Sequence, residues 1–157
     1  MLTIFFCPPA LADGPDKSLA DILSSAESLF KAMQAKNYTS VWAGLSAASR
    51  NTIIEETRKE IARNGAGKTA SMEEVRRDFA EGGPIARGYW IGFMTHFDPG
   101  LVLEQSRWEM GKIAGDRAEI LITYKTAEKP ALLKLFRENG GWKVGLVETF
   151  WGKVRRF

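Results

Sequence analysis

Two polar side chains that interrupt apolar faces are the best candidates for acid–base chemistry in this sequence. His96 falls on the face of a predicted helix that also carries Tyr89 and Phe93, and Glu148 continues the apolar face of a predicted strand. A carboxylate and an imidazole that line one hollow can act as general acid and general base. We therefore predict a pocket lined by one histidine, one carboxylate and four aromatic residues: Tyr89, Trp90, His96, Trp108, Tyr124 and Glu148.

The same two polar residues also admit a structural interpretation. A single histidine near a helix end usually makes a structural hydrogen bond, and a carboxylate at a strand end usually reaches solvent. We therefore assign no catalytic residue and favour a domain that binds a small apolar ligand or a protein partner. The alternative is a small lyase or isomerase. A hollow closed by large side chains would favour binding, whereas ionisable groups within hydrogen-bonding distance of one another would favour catalysis.

Residue counts and spacing argue against several other kinds of site. His96 is the single histidine and Cys7 the single cysteine, so we expect neither a metal site nor a cofactor. The loop at residues 65–69 is glycine-rich, but Ala62 stands where a phosphate-binding loop has its first glycine, and the loop follows a predicted helix. A net charge of +3 is not typical of a nucleic-acid-binding domain.

The first twelve residues have the pattern of a secretory signal. Met1–Ala12 carries no charged residue and ends in Ala10-Leu11-Ala12, a small-x-small pattern typical of signal peptidase sites. We expect cleavage after Ala12 and a periplasmic or secreted domain over residues 13–157. The apolar run is too short to span a bilayer, so we expect no transmembrane span. Because no Lys or Arg precedes it, a longer signal and a buried N-terminal segment stay open as alternatives.

The second half of the chain predicts an antiparallel sheet. Alternating apolar and polar residues predict strands at Arg117–Lys125 and Ala131–Glu138. Asn139-Gly140 predicts a tight hairpin turn into a closing strand over Trp142–Glu148. We also predict a first strand over Leu101–Met110, after a turn at residues 98–100.

The first half of the chain predicts helices. Ser18, with Asp21 three residues on, predicts the start of a first helix that runs to about Lys36. Further helices are expected over residues 39–45, after the caps Ser46 and Ser71, and at Pro84. Helices followed by an antiparallel meander indicate one α+β domain, in which the first helix and the Pro84 helix cover a curved sheet.

Two segments carry a resemblance to a known superfamily. The run 36–46, Lys-Asn-Tyr-Thr-Ser-Val-Trp-Ala-Gly-Leu-Ser, follows the first helix, and 139–144, Asn-Gly-Gly-Trp-Lys-Val, opens the closing strand. In this arrangement the chain resembles the nuclear-transport-factor-2-like (cystatin-like) α+β cone, and in particular small exported bacterial domains. The resemblance implies a pocket at the open end of the cone. A homodimer through the exposed face of the sheet is a further expectation for a binding domain. Because this superfamily includes isomerases, dehydratases, binding modules and dimerisation domains, it implies no single activity.

Overall fold

The described residues form six helices ahead of a four-stranded sheet and one helix after it. The structure is a computed structural model that describes residues 15–125 and 129–154, with side chains for 17–125 and 129–150. The predicted signal at Met1–Ala12 lies outside these residues. In chain order the described elements are α1 (Pro15–Gln34), α2 (Tyr38–Gly44), α3 (Ala47–Asn64), α4 (Met72–Glu81), α5 (Pro84–Met94), α6 (Pro99–Gln105), β1 (Ser106–Ala114), β2 (Arg117–Tyr124), β3 (Ala131–Glu138), β4 (Gly141–Gly145) and α7 (Leu146–Val154).

The predicted antiparallel sheet is confirmed. Its strand order is β1-β2-β3-β4, and each strand pairs with its neighbour in sequence. The alternation in β2 is also as predicted, because Ala118, Ile120 and Ile122 are all buried. Asn139 and Gly140 have φ angles of 51° and 77°, which matches the turn type that Asn-Gly favours in tight hairpins. The α+β fold class is therefore as the sequence predicts.

Local capping signals account for most of the helix starts. The side chains of Ser46 and Ser71 accept hydrogen bonds from the amides of Ser49 and Glu74, and thereby satisfy amides that have no partner inside the helix. Pro84 lies in the first turn of α5, where a backbone N–H would have no partner within the helix, so proline's lack of an N–H removes no helical hydrogen bond. The prediction for α1 needs a correction, because the helix begins at Pro15 and Ser18 lies inside it.

Two predicted strand segments are wrong, and both are helical. Residues 99–105 form α6, because the Asp98 carboxylate accepts hydrogen bonds from the amides of Gly100 and Leu101 at 2.9 and 3.1 Å and caps this helix. The closing strand ends at Gly145, and residues 146–148 begin α7. There the hydroxyl of Thr149 accepts a hydrogen bond from the Lys134 amide at 3.0 Å, so α7 satisfies the edge of β3 beyond the end of β4.

The hydrophobic core lies between the helices and one face of the sheet. α1 contacts β4, α2 and α6, and its predicted apolar stripe is buried: Ile22, Ala26, Leu29, Phe30 and Met33. The sequence predicts that α5 lies on the sheet; instead it packs mainly against α4 and α2. The sheet is therefore contacted mainly by α1 and α7, and α5 lies against other helices.

A first testable prediction concerns the capping box of α4. The Ser71 N–H and then its hydroxyl lower the pKa of the Glu74 carboxyl, so the box stabilises the folded state above the ordinary pKa of 4.5 and loses effect as pH falls below it. We expect Ser71→Ala to lower the free energy of unfolding by about 1 kcal/mol at neutral pH. Urea unfolding measures this change. Ser40→Ala, at an exposed position in α2, is the matched control, and an equal effect of both substitutions would contradict the assignment.

Candidate functional site

A chain of packed aromatic rings fills the space beneath the helices. From Trp42 it runs through neighbouring rings whose centroids lie 4.8 to 6.4 Å apart, and it branches at its far end toward the sheet and α7. We call it the ring chain, and its members are Trp42, Phe79, Tyr89, Trp90, Phe93, Phe97, Phe30, Trp108 and Phe150. Contacts of this kind, mostly tilted or edge-to-face, are favourable aromatic packing. The hollow expected inside the cone is therefore largely occupied by side chains.

Tyr89 and Trp90, two of the predicted pocket residues, lie within the ring chain. Trp90 is 1% exposed, and its indole N–H has no hydrogen-bond partner among the described residues. The Tyr89 hydroxyl is also buried without a partner in the described chain. Burial raises the pKa of Tyr89, and the Glu56 carboxylate raises it further, so the phenol stays protonated at any ordinary pH. Both residues are placed to pack rather than to exchange protons with a ligand.

Glu148 binds the beginning of α3. Its carboxylate accepts hydrogen bonds from the hydroxyls of Ser49 at 2.8 Å and Ser46 at 3.2 Å. The Ser49 hydroxyl in turn accepts a hydrogen bond from the Val147 amide at 3.1 Å. A negative charge at a helix N-terminus is favourable because the first amides and the helix dipole are both positive there. Glu148 thus joins α7 to α3, and this arrangement gives it a structural role.

His96 is not among the hydrogen-bonding partners that Glu148 has in the described chain. It follows the end of α5, its backbone amide donates to the Phe93 carbonyl at 3.1 Å, and its side chain is exposed. The hydrogen bonds of Glu148 within the described chain go to α3, so the structure does not join this carboxylate to the imidazole. The two residues proposed as acid and base therefore have separate surroundings.

Trp108 lines a groove between α1, α6 and the start of β1. The groove has a volume of about 570 Å³ and is lined by Leu23, Glu27, Lys31, Gln34, Leu103, Glu104, Ser106 and Trp108; we call it the Trp108 groove. Trp108 is half-buried, packs edge-on against Phe30, and donates its indole N–H to the Val102 carbonyl at 3.3 Å. The volume of the groove suits a small ligand, since small-molecule binding pockets span about 300 to 1,000 Å³. The Trp108 ring offers such a ligand an apolar surface.

Some polar groups of the Trp108 groove have a hydrogen-bond or ion-pair partner in the described chain, and others have none. Glu27 and Lys31 form an ion pair along α1. The Ser106 hydroxyl is buried without a hydrogen-bond partner within the described chain. Glu104 forms no ion pair with any described residue. Thr57, Tyr89 and Trp90 also carry buried polar atoms without a partner among the described residues, and Ser106 is the one of these four residues that lines this groove. Because a buried polar group without a partner is costly, the Ser106 hydroxyl is the group here that a polar ligand atom would stabilise.

Tyr124 lies next to this groove. It pairs with Ser106 across β1 and β2, and its hydroxyl donates to the Gln105 side chain at 3.4 Å. It lines a neighbouring depression of about 500 Å³ that shares Glu104 and Ser106 with the Trp108 groove. Of the six predicted residues, Trp108 and Tyr124 thus line adjoining depressions, whereas Tyr89 and Trp90 contact each other within the ring chain.

Leu23, Leu103 and Ser106 complete the groove but are absent from the predicted site. The sequence pattern places Leu103 in a strand, and only the helical geometry of α6 turns it toward α1. The available signal was the sequence Asp98-Pro99, since an N-cap residue followed by proline is typical of a helix start. Had α6 been predicted, the groove between two helices and a strand could also have been predicted.

Comparisons with protein-family models, with curated proteins and with solved structures find no match to this chain. The described residues hold no cluster of three or more His, Cys, Asp or Glu side chains arranged to bind a metal ion. None of the described helices is both long enough and apolar enough to cross a membrane.

Proposed function

We propose that this domain binds a small, largely apolar molecule in the Trp108 groove and carries out no reaction on it. The observation that supports the proposal is the combination, in one groove of about 570 Å³, of the half-buried Trp108 ring with the unpartnered Ser106 hydroxyl. Leu23 and Leu103 add apolar walls. A ligand with an apolar body and one hydrogen-bonding group would satisfy both features.

The placement of the ionisable groups favours binding over the alternative lyase or isomerase. Acid–base catalysis needs two groups within reach of one substrate. His96 is exposed after α5, whereas the Glu148 carboxylate accepts hydrogen bonds from Ser46 and Ser49. In the Trp108 groove the charged residues are Glu27, Lys31 and Glu104, and the first two form an ion pair. The proposed ligand is therefore held by shape, apolar contact and hydrogen bonding.

We further propose that the domain is a nuclear-transport-factor-2-like cone that is exported from the cytoplasm. Support for the cone comes from the order of helices before a curved antiparallel meander, and from a parallel bridge between Leu45 and Val144 that joins the end of α2 to β4. Support for export comes only from the pattern at Met1–Ala12. A homodimer through the outer face of the sheet, where Leu132 is exposed, stays a prediction that light scattering can test.

Ligand binding is testable with a neutral apolar probe. We expect N-phenyl-1-naphthylamine to bind the protein with increased fluorescence, and Trp108→Ala to weaken its binding at least about tenfold because the largest apolar surface of the groove is lost. Titration by fluorescence measures the dissociation constant. Leu23→Arg, which places a charged side chain in the groove from α1, should have a similar effect and provides a second test should Trp108→Ala prove less stable.

The control is Ile91→Ala, because Ile91 is 57% exposed on α5 and lies outside the Trp108 groove. It should bind the probe like the wild type. Binding that is unaffected by both Trp108→Ala and Leu23→Arg would contradict the proposal, as would a wild-type protein that does not bind the probe.

A further inference from the structure

A second groove lies on the opposite flank of α1. The buried face of the helix separates the two grooves, since Leu23 and Glu27 line the Trp108 groove whereas Ser18 and Asp21 line the second one. The second groove has a volume of about 360 Å³ and lies between α1 and the β3–β4 hairpin. We call it the Arg137 groove, and its lining is Ser18, Asp21, Ser24, Ser25, Arg137, Gly140, Gly141 and Trp142.

The side chains of the Arg137 groove are polar and lack partners in the described chain. Among the residues that the structure describes, the guanidinium of Arg137 and the carboxylate of Asp21 form no ion pair. The three serine side chains make no hydrogen bond to a described residue either. The groove thus contains a guanidinium that only donates hydrogen bonds, a carboxylate that only accepts them, and three hydroxyls that do both.

The packing of α1 on the hairpin fixes the backbone positions of these residues. α1 contacts β4 directly, and Arg137 pairs with Trp142 across β3 and β4. Trp142 is 9% exposed, and the buried stripe of α1 anchors the helix in the core. The polar residues of the groove therefore stand on two regular elements rather than on a loop, and such elements hold a site with little conformational freedom.

The opposite charges of the groove disfavour a ligand that carries a single charge. Asp21 and Arg137 contribute opposite charges, so the groove has no net charge from its ionisable residues. A phosphate or carboxylate would be attracted by Arg137 and repelled by Asp21, and a diamine would meet the reverse situation. A neutral molecule with adjacent hydroxyl groups loses nothing to either charge, because each hydroxyl can accept from Arg137 and donate to Asp21.

We propose that the Arg137 groove binds a neutral, hydroxyl-rich ligand of the saccharide class. Asp21 accepts hydrogen bonds from ligand hydroxyls, Arg137 donates to them, and the serine hydroxyls of α1 complete the set. Trp142 provides the apolar surface beneath. The groove volume is at the lower end of the range for small-molecule sites, which suits one or two sugar rings. This site is separate from the Trp108 groove and does not depend on the function proposed for that groove.

Nuclear magnetic resonance with a defined panel of probes tests the proposal. The panel is glucose, galactose, N-acetylglucosamine and maltose, with inorganic phosphate and putrescine as the charged comparisons. We expect at least one of the sugars, at millimolar concentrations, to shift the backbone amide signals of Ser24, Gly140 and Gly141. Phosphate and putrescine should bind there more weakly than that sugar.

Substitutions then identify the contacting groups. Asp21→Asn and Arg137→Gln should each weaken sugar binding about tenfold, because each removes a hydrogen bond to a charged group. Glu109→Gln is the matched control for loss of a charge, since Glu109 is exposed on β1 and lies outside both grooves. Both groove positions are exposed, and the unshifted part of the spectrum reports whether each variant stays folded.

Three results would overturn the proposal. The first is that no sugar of the panel shifts these amides. The second is that phosphate or putrescine binds the groove more tightly than every sugar. The third is that both variants bind like the Glu109→Gln control. Trp108→Ala should leave sugar binding unchanged, so failure of one site is distinguishable from failure of the other.

Discussion

Replacing Trp90 with alanine is expected to lower the free energy of unfolding by about 3–5 kcal/mol, the range for large aromatic residues removed from a core. Trp90 is 1% exposed and packs edge-to-face against Phe79, Tyr89 and Phe93. The substitution therefore leaves a large cavity at the centre of the ring chain, where α5 meets α4. Urea or thermal unfolding of the purified protein measures the loss.

Two neighbouring substitutions serve as controls for this prediction. Trp90→Phe should cost much less than Trp90→Ala, because it keeps an aromatic ring and removes an indole N–H that has no partner among the described residues. Ile91→Ala should change stability by less than about 0.5 kcal/mol, since Ile91 is 57% exposed. If Trp90→Ala is as stable as Ile91→Ala, the ring chain is not the core and Trp90 again becomes a candidate for ligand contact.

The second large effect is expected at Glu148, where Glu148→Ala should lower the free energy of unfolding by about 2–3 kcal/mol. The carboxylate is the shared acceptor for Ser46 and Ser49, and its removal leaves two buried serine hydroxyls without this acceptor. Urea unfolding and hydrogen exchange at the start of α3 measure the effect.

Glu148→Gln distinguishes the contribution of the side chain's size from the contribution of its negative charge. The amide keeps the size of the side chain but can accept through one oxygen only and loses the favourable charge at the N-terminus of α3, so an intermediate loss is expected. Glu109→Ala, at an exposed position on β1, is the control with an expected change near zero. A Glu148→Ala protein with wild-type stability would contradict the structural role, and would reopen the interpretation of Glu148 as an acid used in catalysis.

Together these two predictions decide how the residues first selected for chemistry are used. If both hold, Trp90 and Glu148 stabilise the fold. The division has a physical basis. A polar or aromatic residue on an apolar face is equally compatible with a core contact and with a binding surface, and only its neighbours distinguish the two.

Signals carried by neighbouring residues predicted most of the fold correctly. The alternation of Ala118, Ile120 and Ile122 placed β2, Asn139-Gly140 placed the hairpin, and Ser46 and Ser71 placed two helix starts. Each of these depends on steric limits or hydrogen bonds that act within a few residues of the chain. The antiparallel order of the strands followed from the short connections between them.

The two ends of the sheet could not be predicted in the same way. Residues 101–105 and 146–148 mix β-branched and apolar residues that suit either a strand or a helix. At the first segment the Asp98 cap favours the helix, and at the second a hydrogen bond from Lys134 to Thr149 replaces the pairing that a longer strand would have made. That partner lies 15 residues away along the chain, so the sequence pattern gave no sign of it.

The sequence by itself therefore determined an α+β domain with helices first, an antiparallel meander after them, and the buried face of β2. The tertiary structure alone decided that the aromatic residues pack into one ring chain, that the Glu148 carboxylate accepts hydrogen bonds from the start of α3, and that Trp108 and Arg137 line grooves on opposite flanks of α1. Secondary structure arises largely from interactions within a few residues, whereas a cavity depends on which side chains from distant segments occupy the same space.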